Sequence, residues 1–130
     1  MVIPEGVESI GNAAFFRSEV TSVVLPSTLK TIGWNALQAN LQEITIPAQV
    51  STIGKGAFSC DNLRSIVVEE GNTAFTVKDG VLYTSDMSRL VAVTGATIER
   101  IDVPDSVTDI DGDSLNTAGA LRSLHLGKGF

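Results

Sequence analysis

The sequence predicts a β-rich α/β solenoid of about five rungs, with short parallel strands and one inserted β-hairpin. Three observations predict it. First, Ile10-Gly11-Asn12-Ala13-Ala14-Phe15 returns as Ile53-Gly54-Lys55-Gly56-Ala57-Phe58, with a looser copy, Ile32-Gly33-Trp34-Asn35-Ala36-Leu37, between them. The isoleucines are 22 and 21 residues apart, a period at which each unit is one rung of a stack. Second, apolar residues recur in fixed columns at that period. Third, a proline closes the strand in four of the copies.

The columns define the rung. Val20, Leu41, Leu63, Ile98 and Leu121 form one apolar column, and Val23, Ile44, Ile66, Ile101 and Leu124 the next. Leu25, Ile46, Val68, Val103 and Leu126 form a third. The last two columns are two residues apart, the spacing of a strand with one face inward. Pro4, Pro26, Pro47 and Pro104 follow at once. Proline cannot donate to a ladder, so it ends the strand and begins a turn.

A second arm follows each proline. Val7 and Ile10, Leu29 and Ile32, Val50 and Ile53, and Val107 and Ile110 aim two more apolar side chains inward. Gly11, Gly33 and Gly54 are expected to permit a sharp bend, and the Ala-Phe or Ala-Leu pair to close the rung in a short 3₁₀ or helical turn. In the last copy Asp111 replaces the glycine and Ser114-Leu115 the Ala-Phe pair. One rung alone cannot bury enough apolar surface to fold; stacking supplies the hydrogen bonds and the shared core.

The repeat is interrupted once. Leu63 to Ile98 spans 35 residues where other copies span 21 or 22. Residues 69–97 therefore form an insertion within a single domain, 1–130. Two apolar runs within Val81 to Val93 flank a polar turn, which reads as a β-hairpin expected to stand out from, or lean on, the convex side. Both ends fall in mid-repeat, which leads to the expectation of a longer array.

Composition narrows the function classes. Net charge is −6, with 9 basic residues scattered singly, which argues against nucleic acid as a partner. No run of 18 apolar residues appears, so no membrane insertion is expected. A single cysteine, Cys60, excludes an internal disulfide and a cysteine-based metal cluster. Its expected role is a small buried thiol.

These residues resemble the BspA-like, or Treponema pallidum-type, leucine-rich repeat. The copy from Ile46-Pro47 through Ile53-Gly54, Ala57-Phe58 and Cys60 to Leu63 and Ile66 follows the family pattern nearly throughout. The insertion is similar as well, with Asn72-Thr73-Ala74-Phe75 and the run from Asp79 to Tyr83. Departures are Leu37 for phenylalanine, Asp111 for glycine, and cysteine in one copy only. The resemblance implies a right-handed leucine-rich-repeat coil whose strands line a concave face. It also implies a non-catalytic adhesion or protein-recognition module at a bacterial surface or secreted, with a protein ligand such as a host extracellular protein. It carries over no catalytic residue and no cofactor. A structural spacer or stalk, or an accessory domain of a larger surface enzyme, are the alternatives; oligomeric state stays open.

Candidate sites follow from the strand positions between inward columns. One outward column reads Ser22, Glu43, Ser65, Arg100, Ser123; its neighbour reads Val24, Thr45, Val67, Asp102, His125. A flanking column holds Thr21, Gln42, Arg64, Glu99 and Arg122. A solvated sheet face is the ordinary reading of such columns. Arg64, Arg100 and Arg122, with Glu43, Asp102 and His125, are the candidates for protein contact, since arginine is favoured at binding hot spots. Asp109, Asp111 and Asp113 alternate as in a calcium loop, but Ser114 and Ala120 stand where its glycine and bidentate glutamate belong, so a solvated acidic turn is expected. Ser123, His125 and Asp102 lack an oxyanion hole, which leaves no catalytic triad. Trp34 shares its column with Asn12, Lys55 and Gly112, so an exposed position is expected, anchoring a partner on the convex side or covering a neighbouring rung, and Tyr83 is read as similarly placed.

Overall fold

The structure, a computed structural model, describes residues 1–111, 115 and 119–129. Its strands are short. In chain order they are β1 (Ser9–Ile10), β2 (Thr31–Ile32), β3 (Glu43–Ile46), β4 (Thr52–Ile53), β5 (Ser65–Val68) and β6 (Phe75–Lys78). Then come β7 (Val81–Thr84), β8 (Arg89–Val93), β9 (Arg100–Asp102), β10 (Asp109–Ile110) and β11 (Ser123–His125). The chain is a β-solenoid. Each proline opens a turn whose carbonyl accepts from the N–H three residues on, at Val7, Leu29, Val50 and Val107 (3.1–3.4 Å). That turn carries the chain from the first arm of a rung into the second.

Stacking is in register. β1, β2 and β4 form a parallel sheet in which Ile10, Ile32 and Ile53 lie side by side. β3 pairs β5 with Ile44 beside Ile66, and β9 pairs β11 with Ile101 beside Leu124. The turn segments stack too: Ala13 N–H donates to the Trp34 carbonyl, and Asn35 N–H to the Lys55 carbonyl, at 2.9 and 3.0 Å. Their backbone groups are thus satisfied from rung to rung rather than within a helix.

The α/β designation needs correction. Apart from Leu115, no described residue is helical. The residue two after each repeat glycine has positive φ, at Ala13 (56°), Asn35 (52°) and Gly56 (70°). A left-handed residue in each of these three copies breaks any helical run and leaves a chain of β-turns. The glycine column also has a different reason from a bend. A Cβ on Gly33 would lie 2.7 Å from Asn12 N, and one on Gly54 would lie 2.7 Å from Trp34 Cα, whereas one on Gly11 would meet nothing. Glycine is needed where one rung rests on the backbone of the rung before it.

The insertion is not on the convex side. β6, β7 and β8 form an antiparallel meander, and β8 runs on into the stack, pairing with β10 in parallel through Leu90 and Ile110. Both faces of β7 and β8 are buried. Leu82, Val91 and Ala92 pack with the core of the first rungs, while Val81, Tyr83, Leu90 and Val93 pack with Ile101, Val103 and Val107. A bulge between Leu82 and Tyr83 skips Val91 and keeps the two faces aligned. The inserted sheet is therefore an internal wall between two apolar clusters, not one continuous interior. Continuous apolar runs such as Val81-Leu82-Tyr83 suit a strand covered on both sides.

Two polar devices tie the wall in place. Asn72 Nδ2 donates to the carbonyls of Pro47 (2.9 Å) and Val50 (3.1 Å), while its Oδ1 accepts from the N–H groups of Ala74 and Phe75. Asp111 is 3% exposed, not the solvated turn residue expected. Its Oδ2 accepts from Gly56 N–H at 2.8 Å and lies 3.6 Å from Arg89 Nη2, an ion pair too long to be a hydrogen bond. Arg89 Nη1 donates to the Ile53 carbonyl at 2.9 Å. Arg89 thus joins the rung before the wall to the rung after it. The calcium-loop positions 112–114 lie outside the described residues.

Gly54→Ala is expected to cost about 1–3 kcal/mol by forcing two rungs apart, and Gly11→Ala less than about 0.5 kcal/mol. Equal losses on chemical denaturation would contradict the stacking account. Asp111→Ala leaves Arg89 without its carboxylate and is expected to cost about 3–5 kcal/mol. A measured loss below about 1 kcal/mol would mean that the clamp acts as an exposed pair.

Candidate functional site: the strand face and its cleft

The outward positions of the first-arm strands present the candidate residues, but not as one surface. Glu43 neighbours Ser65 across the β3–β5 ladder, and Arg64 enters that ladder through its N–H bond to the Gln42 carbonyl (2.8 Å). Arg100, Asp102 and His125 lie together on β9 and β11, with His125 opposite Asp102 and Ser123 opposite Arg100. Arg122 reaches the same patch through its N–H bond to the Glu99 carbonyl. No ladder joins β5 to β9, because the inserted meander comes between them. The six candidates therefore form two patches, one on either side of the interruption.

Their charges are used differently. Arg100 grips Asp102 two residues along the strand, with Nε donating at 3.0 Å and Nη2 at 2.9 Å. The Arg100 hydrogen bonds hold the Asp102 carboxyl below the usual range, with the charges of Arg100 and His125 adding to the effect. Asp102 in turn raises the Arg100 guanidinium. Both side chains are exposed, so this pair contributes order more than stability. Arg64 and Arg122 make no ion pair among the described residues.

Next to Arg100 the strand face opens into a cleft of about 410 Å³. Val81, Tyr83 and Ile101 line it, and Lys78, Arg100 and Asp102 stand at its rim. Tyr83 corrects the expectation of an exposed convex residue. It is 2% exposed, packs against Ile101 and Val103, and borders this cleft. No hydrogen-bond partner meets its hydroxyl among the described residues. Burial, and then the charges of Asp79 and Asp102, push the phenol above its usual range, so it stays a neutral donor. Sequence reasoning missed Tyr83 and Lys78 as site residues. The available signal was the unbroken apolar run Val81-Leu82-Tyr83, which leaves no solvent-facing alternation. A second cleft, about 420 Å³, separates residues 22–25 from β3, with Glu43 and Glu69 at its edge.

The remaining candidates resolve simply. Cys60 is buried and its Sγ donates to the Leu37 carbonyl at 3.1 Å; burial raises its thiol, which disfavours the reactive thiolate. His125 makes no hydrogen bond to Ser123 or Asp102. No cluster of metal-ligating side chains occurs among the described residues. Trp34 is 52% exposed on the turn side of the stack. No helix among the described residues is long and apolar enough to cross a membrane.

Comparison with known proteins agrees with this architecture. Residues 1–97 match the model of the BspA type leucine-rich repeat region, in six copies. No curated protein sequence matches the chain. Among solved structures, the pneumococcal vaccine antigen PcpA superposes with a TM-score of 0.90 at 29% identity, covering 99% of this chain and 34% of that one. A leucine-rich cell surface protein of Faecalibacterium prausnitzii superposes at 0.78 and 24% identity, over 97% of this chain and 41% of its own. A leucine-rich repeat protein of Eubacterium ventriosum superposes at 0.77 and 21% identity, over 98% and 41%. The last two likenesses concern the fold alone, and the chain spans well under half of each of these proteins. With a repeat model covering three-quarters of its length, the chain belongs to the BspA-type leucine-rich-repeat family.

Proposed function

We propose that this domain is a non-catalytic protein-recognition module, displayed outside a bacterial cell and binding a protein ligand, such as a host extracellular protein, through its strand face. One observation carries the reading. Val67 is 50% exposed on that face, on the strand that Arg64 leads into, and the paired Val2 and Val24 of the first rungs are 71% and 59% exposed. Exposed apolar residues next to an arginine without an ion pair are the ingredients of a binding surface. A solvated spacer face has no use for them. The description of the neighbour at 29% identity as a vaccine antigen supports the extracellular placement. A spacer, or an accessory domain of a surface enzyme, would leave these side chains without a role.

The test is the triple charge reversal Arg64→Glu, Arg100→Glu and Arg122→Glu in the full-length protein. Attachment of cells bearing it to immobilised extracellular-matrix proteins is expected to fall by about tenfold or more. Unchanged attachment by a variant that keeps its circular dichroism would overturn the strand-face reading and favour the spacer.

A further inference from the structure

The cleft beside Arg100 has a backbone wall as well as a side-chain floor. In a parallel pair, each residue turns its N–H and C=O to one side, and the side alternates along the strand. The Glu99 carbonyl accepts from Ser123 N–H (3.1 Å) and Val103 N–H donates to the His125 carbonyl (2.8 Å), so residues 99, 101 and 103 face β11. Arg100 and Asp102 therefore turn their backbone groups to the opposite edge. No backbone bond meets them there. In an uninterrupted solenoid β5 would occupy that edge. Here Val81 and Tyr83 pack with Ile101 and line the cleft along that edge, and no strand other than β11 pairs with β9 among the described residues.

This gap cannot close, because the wall that props it open is itself core. The cleft between residues 22–25 and β3 differs, since regular stacking of β2 on β4 continues on the other arm of those rungs. At the β9 cleft an open strand edge, an apolar floor and a phenol with no hydrogen-bond partner among the described residues coincide. We propose that the edge of β9 accepts an extended peptide segment of a protein ligand as an added strand. The segment sets one neutral amide side chain, Asn or Gln, against the Tyr83 hydroxyl. Main-chain hydrogen bonds to Arg100 and Asp102 supply affinity, and the inward side chain supplies selectivity. A carboxylate would lose its hydration in that position, whereas an amide oxygen accepts from Tyr83 at smaller cost. Lys78 and Asp79, and Arg100 and Asp102, balance at the rim, so the chain's net charge of −6 sets the long-range field. Charge complementarity then favours cationic residues flanking the amide. This proposal rests on the strand-face reading and names the form of ligand that face takes.

The test uses a random dodecapeptide library displayed on phage and selected on the whole chain. Enriched peptides are expected to be cationic, to carry Asn or Gln at one position, and to slow hydrogen exchange at the Arg100 and Asp102 amides. Tyr83→Phe, which keeps the ring in its packing, should weaken them roughly three- to tenfold. Asp102→Pro removes the edge N–H but no bond to β11, and should abolish binding, while Asp102→Ala, which keeps the N–H and removes only the rim carboxylate, should weaken it far less. Failure to enrich any peptide, enriched peptides that leave both amides exchanging freely, or amides protected by self-association of the chain would each overturn the proposal. Peptides that instead protect amides around Arg64 and Val67 would sink strand addition and spare the strand-face reading. If the triple arginine variant attaches normally while peptides still protect Arg100 and Asp102, the edge site stands and the wider reading falls.

Discussion

Everything in this molecule depends on rung-to-rung contact at backbone distance. The isoleucine ladder through Ile10, Ile32 and Ile53 can form only if the segments just after it lie equally close, and there the glycine column removes the Cβ that would intrude. The turn segments then bond across rungs, Phe15 to Ala36 and Leu37 to Ala57, each at 2.9 Å. Side-chain identity within a rung is secondary, provided that its inward positions remain apolar. Leu37 replaces phenylalanine at one of them, with no visible break in the stack.

The insertion shows how such a stack absorbs a foreign segment. A protruding hairpin would have left the rungs continuous and two apolar runs exposed. The chain instead threads β8 into the position of a second arm, in line with β10, and lays β7 across the interior. The cost is an interrupted first-arm sheet. A single backbone bond from Ala96 N–H to the Leu63 carbonyl, at 3.1 Å, keeps the two sides in step near the start of that arm. The edge left open on β9 and the cleft beneath Arg100 follow directly from that choice of path.

The rung itself was legible in the sequence because its causes are local and periodic. Proline placement, the two-residue spacing of Ile44 and Ile46, and the glycine column are each visible without coordinates. The glycines were legible as required but not for the right reason, since crowding comes from the previous rung and leaves no trace within one copy. Asp111 was misread for the same cause: its partners, Gly56 and Arg89, are distant in sequence, and an acidic residue among acidic neighbours looks solvated. Tyr83 was read as exposed because hairpins usually have a wet face, and only the lack of polar alternation in Val81-Leu82-Tyr83 argued otherwise. Of the candidate site, the pairing of Glu43 with Ser65, and of Arg100 and Asp102 with Ser123 and His125, was legible in the columns, while their division into two patches was hidden in the route of the insertion.

The wall has a consequence for how the molecule comes apart. A uniform array melts as a one-dimensional chain of equivalent neighbours, in which a loss at one end spreads inward. Here the apolar interior is partitioned, so each compartment holds together by its own contacts and disorder on one side halts at the meander. Arg89, reaching backward to Ile53 and forward to Asp111, is the hasp between the compartments. Its strength sets whether the two halves fail as one body or in turn.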